Sequence, residues 1–299
     1  MNTTNTFSID WIAYTLRYSD FPEGLHYAKM ATSDVIRHYS WLDMVSEAAQ
    51  VFDGEWVETS GLYSYKYGAE HSTGIKVFWS DDMKMGIHTV YSGTALRNVN
   101  ALELIATLWA LGAKFTRIDV CNDDFGEGIT TVRDYVEMYQ SGDYEGRKRS
   151  WHEIKSGNGG HTFYIGSRQS ERMIRIYDKG SEQGLDADQW VRVELELKGD
   201  AAVGLAQHIG FYGANMQEID FAGLMNAFVV FPNSTAWQRF PGAMFTLPKT
   251  EKGERGTKAW GLMAVRTICA QIDLDHEYLE SVKTAFVRAG YSIDISKAD

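Results

Sequence analysis

The chain has 299 residues, 44% of them hydrophobic and 23% charged, an ordinary globular composition long enough to bury a sizeable core as one large domain or two. A formal net charge of −11 disfavours indiscriminate binding to polyanions, so any nucleic-acid contact has to come from local clusters of cations. No apolar stretch approaches the roughly 20 residues that span a bilayer, the opening Met1-Asn-Thr-Thr-Asn-Thr lacks the pattern of a signal peptide, and Cys121 and Cys269 show no pairing pattern, as expected of a cytoplasmic protein.

In chain order, alternation over residues 7–16 predicts an opening strand, and Val35, Ile36, Tyr39, Leu42, Val45 and Ala49 predict a helix over residues 34–52. Strands over 63–67, 74–79 and 86–92, joined by turns with Gly68, Asp81 and Asp82, read as an antiparallel meander. Asn100 is suited to cap a helix that ends at Leu111 before Gly112; residues 115–121 form the next strand, and 130–141 an amphipathic helix stopped by Gly142. After the turn Ser156-Gly-Asn-Gly-Gly160, strands are expected over 162–165, 173–178 and 191–197. Beyond Gly199 the chain reads as helical, over 200–209, 220–230, 257–272 and 275–289, with a loop over 232–256. This order predicts an α+β fold, an antiparallel sheet flanked by helices, with residues 1–198 as the catalytic unit and 199–299 as a helical C-terminal region packed on it. Alternation is equally consistent with one continuous sheet and with two packed half-sheets.

Three of these strands carry charge on alternate positions. Arg175-Ile-Tyr-Asp-Lys179 directs Arg175, Tyr177 and Lys179 to one side, Arg192-Val-Glu-Leu-Glu-Leu-Lys198 groups Arg192, Glu194 and Glu196, and Arg117-Ile-Asp-Val-Cys-Asn-Asp-Asp124 groups Arg117, Asp119 and Cys121 with Asp123 in register. A tyrosine among cations beside crowded carboxylates suggests a divalent metal next to a nucleophilic phenol. A phenol titrates near 10 and needs neighbouring positive charge to attack phosphorus at neutral pH, which Arg175, Lys179 and a metal would supply. All-oxygen ligands select Mg²⁺ or Mn²⁺. Taken alone, the same pattern also describes a solvated strand face with cross-strand ion pairs and a packed tyrosine.

Cations cluster at Arg147-Lys-Arg149 with Lys155 around the glycine-rich turn, and Arg168, Arg172 and Arg175 follow closely, with Ser167 beside them as a hydrogen-bond donor to phosphate. These residues, with Lys148 and Arg192, are the candidate DNA contacts; Lys249, Lys252, Arg255 and Lys258 mark a second basic loop. Trp237 and Trp260 suit either base stacking or core packing. Tyr164-Ile-Gly-Ser-Arg168 fits no nucleotide-binding fingerprint, and no Gly-Lys-Ser/Thr occurs, so any ATP-driven unwinding belongs to another protein.

Five ordered segments resemble the replication initiation factor family, which includes plasmid rolling-circle initiators, filamentous-phage replication proteins and relaxases of conjugative elements. They are Gly86-Ile-His-Thr-Val-Tyr-Ser-Gly93, Phe115-Thr-Arg-Ile-Asp-Val-Cys-Asn-Asp-Asp124, Thr162-Phe-Tyr-Ile-Gly-Ser-Arg-Gln-Ser170, Arg175-Ile-Tyr-Asp-Lys179 and Trp190-Val-Arg-Val-Glu-Leu-Glu-Leu-Lys198. The resemblance implies a tyrosine, here Tyr177, that cuts one DNA strand at an origin, stays attached to the 5′ phosphate and leaves a free 3′ hydroxyl. It implies metal ligands at Asp119 and Glu194, with Glu196 and Asp123 as further candidates, a host helicase as partner, and a homodimer. The eight histidines contain no pair separated by one apolar residue, so a metal site would be built from carboxylates. A DNA-binding regulator without chemistry and a metal nuclease that uses water are the alternatives.

Overall fold

The computed structural model describes residues 7–17, 46, 48–82, 84–157, 160–185, 189–212, 220–240 and 247. The helices expected over 257–272 and 275–289, the basic loop around Lys252 and Trp260 lie outside these residues, as does most of the helix expected over 34–52.

The described strands form one ten-stranded sheet, so the continuous alternative holds. In chain order they are β1 (Phe7–Leu16), β2 (Trp56–Ser60), β3 (Tyr67–His71), β4 (Lys76–Trp79), β5 (Ile87–Ser92), β6 (Lys114–Phe125), β7 (Trp151–Lys155), β8 (His161–Ile165), β9 (Arg172–Asp178) and β10 (Trp190–Lys198). Across the sheet they run β2-β3-β4-β5-β1-β6-β10-β9-β8-β7, and every pairing is antiparallel. β1 inserts between β5 and β6, which joins the N-terminal meander to the strands that carry the tyrosine and the carboxylates.

One face of the sheet is apolar. Ile12 and Leu16 on β1, Ile118 and Val120 on β6, Val191, Val193, Leu195 and Leu197 on β10, and Ile174 and Ile176 on β9 share a buried core with the covering helices. Those helices are α2 (Ala101–Ala110), α3 (Val132–Ser141), α5 (Asp200–Tyr212) and α6 (Phe221–Asn226); two short ones, α1 (Gly93–Leu96) and α4 (Lys179–Glu182), follow β5 and β9 directly. α2 starts where Asn100 accepts a hydrogen bond from the Glu103 amide. α3 starts with a reciprocal Thr131–Asp134 capping box and ends at Gly142, φ 87°, where a left-handed residue closes the helix without the strain a Cβ would bring. Trp237 is 5% exposed and packs against Tyr135, Phe231 and Phe240, so core packing is its role.

Several boundaries differ from the expectations. The strand expected over 63–67 is a loop in which Tyr63 and Ser64 have φ of 55° and 71°, and β3 begins only at Tyr67. β2 and β7 carry no apolar alternation; β7 is exposed at every position, an edge strand held by its pairing with β8. The helix expected over 220–230 stops at Asn226, after which Val230 bridges to Glu145.

Candidate active site

Over β6, β10 and β9 the other face of the sheet is polar, and the period-2 rule accounts for its composition there. Arg117, Asp119, Cys121 and Asp123 alternate with the core residues of β6, as Arg192, Glu194 and Glu196 do on β10 and Arg175 and Tyr177 do on β9. Register aligns them across strands. Glu194 stands between Cys121 and Arg175, Arg192 between Asp123 and Tyr177, and Glu196 between Asp119 and Met173. The residues expected to share a face therefore do so, while Lys179 starts α4 instead of continuing the strand.

Tyr177 is 6% exposed and lines a cleft of about 840 Å³. Its walls include Asp10 and Trp11 of β1, α1, α4, Ile154 and Thr162 of the β7–β8 hairpin, and Arg192. The Arg175 guanidinium lies 4.5 Å and Lys179 Nζ 5.5 Å from the centre of its ring. No described residue hydrogen-bonds the Tyr177 hydroxyl, whereas that of Tyr164 accepts from Arg168 at 3.2 Å. The flanking cations do not prevail in this state. Burial, then Glu194, raises the Tyr177 phenol well above its ordinary value, with Arg175 and Arg192 opposing and Asp10 adding a smaller rise.

The carboxylates are close together and each is engaged by a cation. Arg117 Nε is 2.8 Å from Asp119 Oδ1, and its Nη2 reaches Glu196 Oε2 at 2.8 Å. Lys198 also meets Glu196 at 2.8 Å, and Arg175 meets Glu194 at 2.7 Å. Asp123 is held by both Arg192 Nε and Arg192 Nη2 at 2.7 Å and accepts from the Trp190 indole at 2.8 Å. Cys121 is buried within this layer, its thiol 3.1 Å from Ser8 Oγ and pushed up to about 12 by burial, so it is no nucleophile near neutrality.

Among the described residues no three His, Cys, Asp or Glu side chains form a ready-made metal site. The carboxylates gathered here offer only oxygen donors, the type that a hard cation takes. Asp119 is pushed up to about 8, first by burial and further by Glu194 and Glu196, despite its bonds to Arg117. Asp119 therefore sits where negative charge is under-compensated despite Arg117, a place at which an oxygen-ligated divalent ion would supply the missing charge.

The remaining expected contacts are dispersed. Arg147, Lys148, Arg149, Ser167 and Arg172 line a separate cleft. Lys155 pairs with Glu153 at 3.3 Å on the exposed edge strand, and the Arg168 guanidinium rests 5.1 Å from the Tyr164 ring. Asp10 is a site residue that strand alternation alone does not single out. It reaches the site because β1 is irregular between Ile9 and Trp11, and its Oδ1 lies 2.7 Å from Arg192 Nη1. Gly93 admits this contact, since a Cβ there would lie 2.3 Å from Asp10 Oδ1. The only sequence sign was the Ser92-Gly93 end of a motif whose partner lies far away in the chain.

Residues 113–259 match the replication initiation factor family. That match takes in 147 of the 299 residues, just under half of the chain. It is 30% identical over 166 residues to a putative DNA relaxase, NicK, of Bacillus subtilis (strain 168), a match covering 48% of this chain and 47% of the relative, so the chain spans about half the length of the curated relative it matches. The solved rolling circle replication initiator protein from Geobacillus stearothermophilus shares the fold, with a TM-score of 0.56 and 24% identity over 80% of this chain and 92% of that one.

Proposed function

We propose that this protein is a rolling-circle replication initiator that nicks and rejoins one DNA strand, with Tyr177 as nucleophile. The observation that carries the reading is a phenol with a free hydroxyl, lining a cleft on the polar face between Arg175 and Arg192. The phenolic oxygen forms a bond to phosphorus, its proton leaves to solvent in the cleft, and the bond from phosphorus to the 3′ oxygen breaks. That oxygen takes up a proton to become the free 3′ hydroxyl, and the 5′ phosphate stays on Tyr177. Because the phosphodiester energy is kept in the phosphotyrosine, the reverse reaction reseals the strand.

Arg175 and Lys179 orient the phenol and offset charge as it ionises. Arg192, fixed by Asp10 and Asp123, holds the adjacent phosphate position. Asp119, Glu194 and Glu196 would hold Mg²⁺ or Mn²⁺, which would polarise the scissile phosphate; Asp123 serves chiefly as the partner of Arg192. The partners proposed are origin DNA, melted at the nick, a host helicase and a second copy of the chain, all in the cytoplasm. No helix among the described residues is long and apolar enough to cross a membrane.

Incubating the protein with a single-stranded origin oligonucleotide and Mg²⁺ or Mn²⁺ tests the reading. A denaturation-resistant adduct mapped to the peptide around Tyr177, and lost in Tyr177→Phe, is expected. An adduct on Tyr164 would move the nucleophile, cleavage without adduct would mean water is the nucleophile, and no cleavage of any origin would mean a regulator.

A further inference from the structure

Arg147, Lys148 and Arg172 converge on a second cleft of about 500 Å³, completed by Ser167, Ser170 and Phe228. It shares no lining residue with the Tyr177 cleft. Arg172 and Tyr177 stand at opposite ends of β9 and on opposite faces of it, about 16 Å apart along the strand at roughly 3.3 Å per residue.

The two clefts differ in how their charges are matched. On the Tyr177 face, Arg117, Arg175, Lys179 and Arg192 each have a carboxylate partner within 3.0 Å. Those cations are already matched, so each offers a further anion less than an unpaired one would. Among the described residues, Arg147, Lys148 and Arg172 form no ion pair, and neither does Glu171 on the same rim. Arg149 is the brace of this cluster. Its guanidinium donates to the carbonyls of Arg147 at 2.9 Å and Phe228 at 2.8 Å and lies 3.9 Å from the Phe228 ring centre. Burial lowers its proton affinity, Tyr139 opposes that, and the like charges of Arg147 and Arg172 lower it further.

In a chain of net charge −11, a cleft that gathers unmatched cations is the place where a phosphate backbone gains most. We propose that this second cleft holds backbone phosphates of a DNA segment flanking the nick, separate from the strand engaged at Tyr177. The proposal rests on the nicking function above and adds a second point of attachment to it. Long, fully charged side chains with no planar recognition partner position a backbone without reading its sequence.

The test compares wild type with an Arg147→Ala/Lys148→Ala/Arg172→Ala variant, and with Arg147→Glu/Lys148→Glu, which leaves β9 intact should the first fail to fold. Binding to an origin duplex is measured by fluorescence anisotropy across a salt series, alongside nicking of a short single-stranded oligonucleotide limited to the nick site. Both variants should bind the duplex at least about tenfold more weakly, with the slope of log affinity against log salt reduced by about 2 to 3, at about 0.9 per phosphate lost. Nicking of the short oligonucleotide should be unchanged. An unchanged slope overturns the proposal, as does equal loss on the short oligonucleotide, which would mean one continuous site. Inorganic phosphate that binds wild type but not the variants, with duplex affinity unaltered, would make this a small-anion site and also overturn it. If wild type nicks nothing while the salt-slope difference persists, the second cleft stands and the nicking assignment falls.

Discussion

Arg175 Nη2 lies 2.7 Å from Glu194 Oε2, and the same guanidinium rests 4.5 Å from the centre of the Tyr177 ring. One cation thus answers a carboxylate that is 1% exposed and a phenol on its own strand. The coupling makes Glu194 a residue that tunes Tyr177 through Arg175 as well as a candidate metal ligand.

Glu194→Gln should abolish metal-dependent nicking while the protein stays folded. Arg175 keeps an oxygen acceptor but loses its counter-charge, a destabilisation of about 1–3 kcal/mol, less than for a fully buried pair because Arg175 is one-third open to solvent. Urea melts with a nicking assay in Mg²⁺ or Mn²⁺ check both parts. Undiminished nicking, or full wild-type activity in excess EDTA, would remove the carboxylate-metal proposal.

Gly93→Ala should impair the site from outside it. The new Cβ would meet Asp10 Oδ1 at 2.3 Å and Cγ at 3.0 Å, so Asp10 must turn away from Arg192. Arg192 then keeps only Asp123, and DNA cleavage should fall at least about tenfold, the consequence of about 1.4 kcal/mol lost in positioning. Asp10→Asn should reproduce the defect in milder form. Normal cleavage by Gly93→Ala would show that the Asp10–Arg192 contact is dispensable.

Stability should depend on pH through Asp119. Its carboxyl is raised from the ordinary value near 4 to about 8, so the folded state favours its protonated form. The stability gained in this way is fully present below about pH 4 and is lost as pH rises through about 8. Thermal unfolding of the metal-free protein should therefore move to lower temperature between about pH 5 and pH 9, against the usual behaviour of a salt-bridged aspartate. Asp119→Asn should flatten the trend, and adding Mg²⁺ or Mn²⁺ at high pH should restore stability. A melting temperature that rises over this interval in the wild type, and rises less in the variant, would reverse the sign.

The Tyr177→Phe substitution removes one oxygen that makes no hydrogen bond among the described residues, so its melting temperature should match wild type within error while adduct formation is lost. A clearly destabilised Tyr177→Phe would mean that the hydroxyl has a structural role instead.

The sequence by itself determined the polar face. Strand side chains alternate with a period of two, so Arg175 with Tyr177, and Glu194 with Glu196, were bound to lie on one side once residues 173–178 and 191–197 were read as strands, and their apolar alternates fixed which side was core. The cap at Asn100 and the stop at Gly142 were equally legible because their chemistry is local. Tertiary structure alone decided which strands are neighbours. The insertion of β1 between β5 and β6 brings Asp10 to Arg192, 182 positions along the chain, and no local pattern encodes that approach. β7, with no buried position, is a strand only because β8 offers it hydrogen bonds. The separation of the basic residues into matched and unmatched sets also belongs to the fold, since a sequence gives the number of its charges but only packing gives each one its partner.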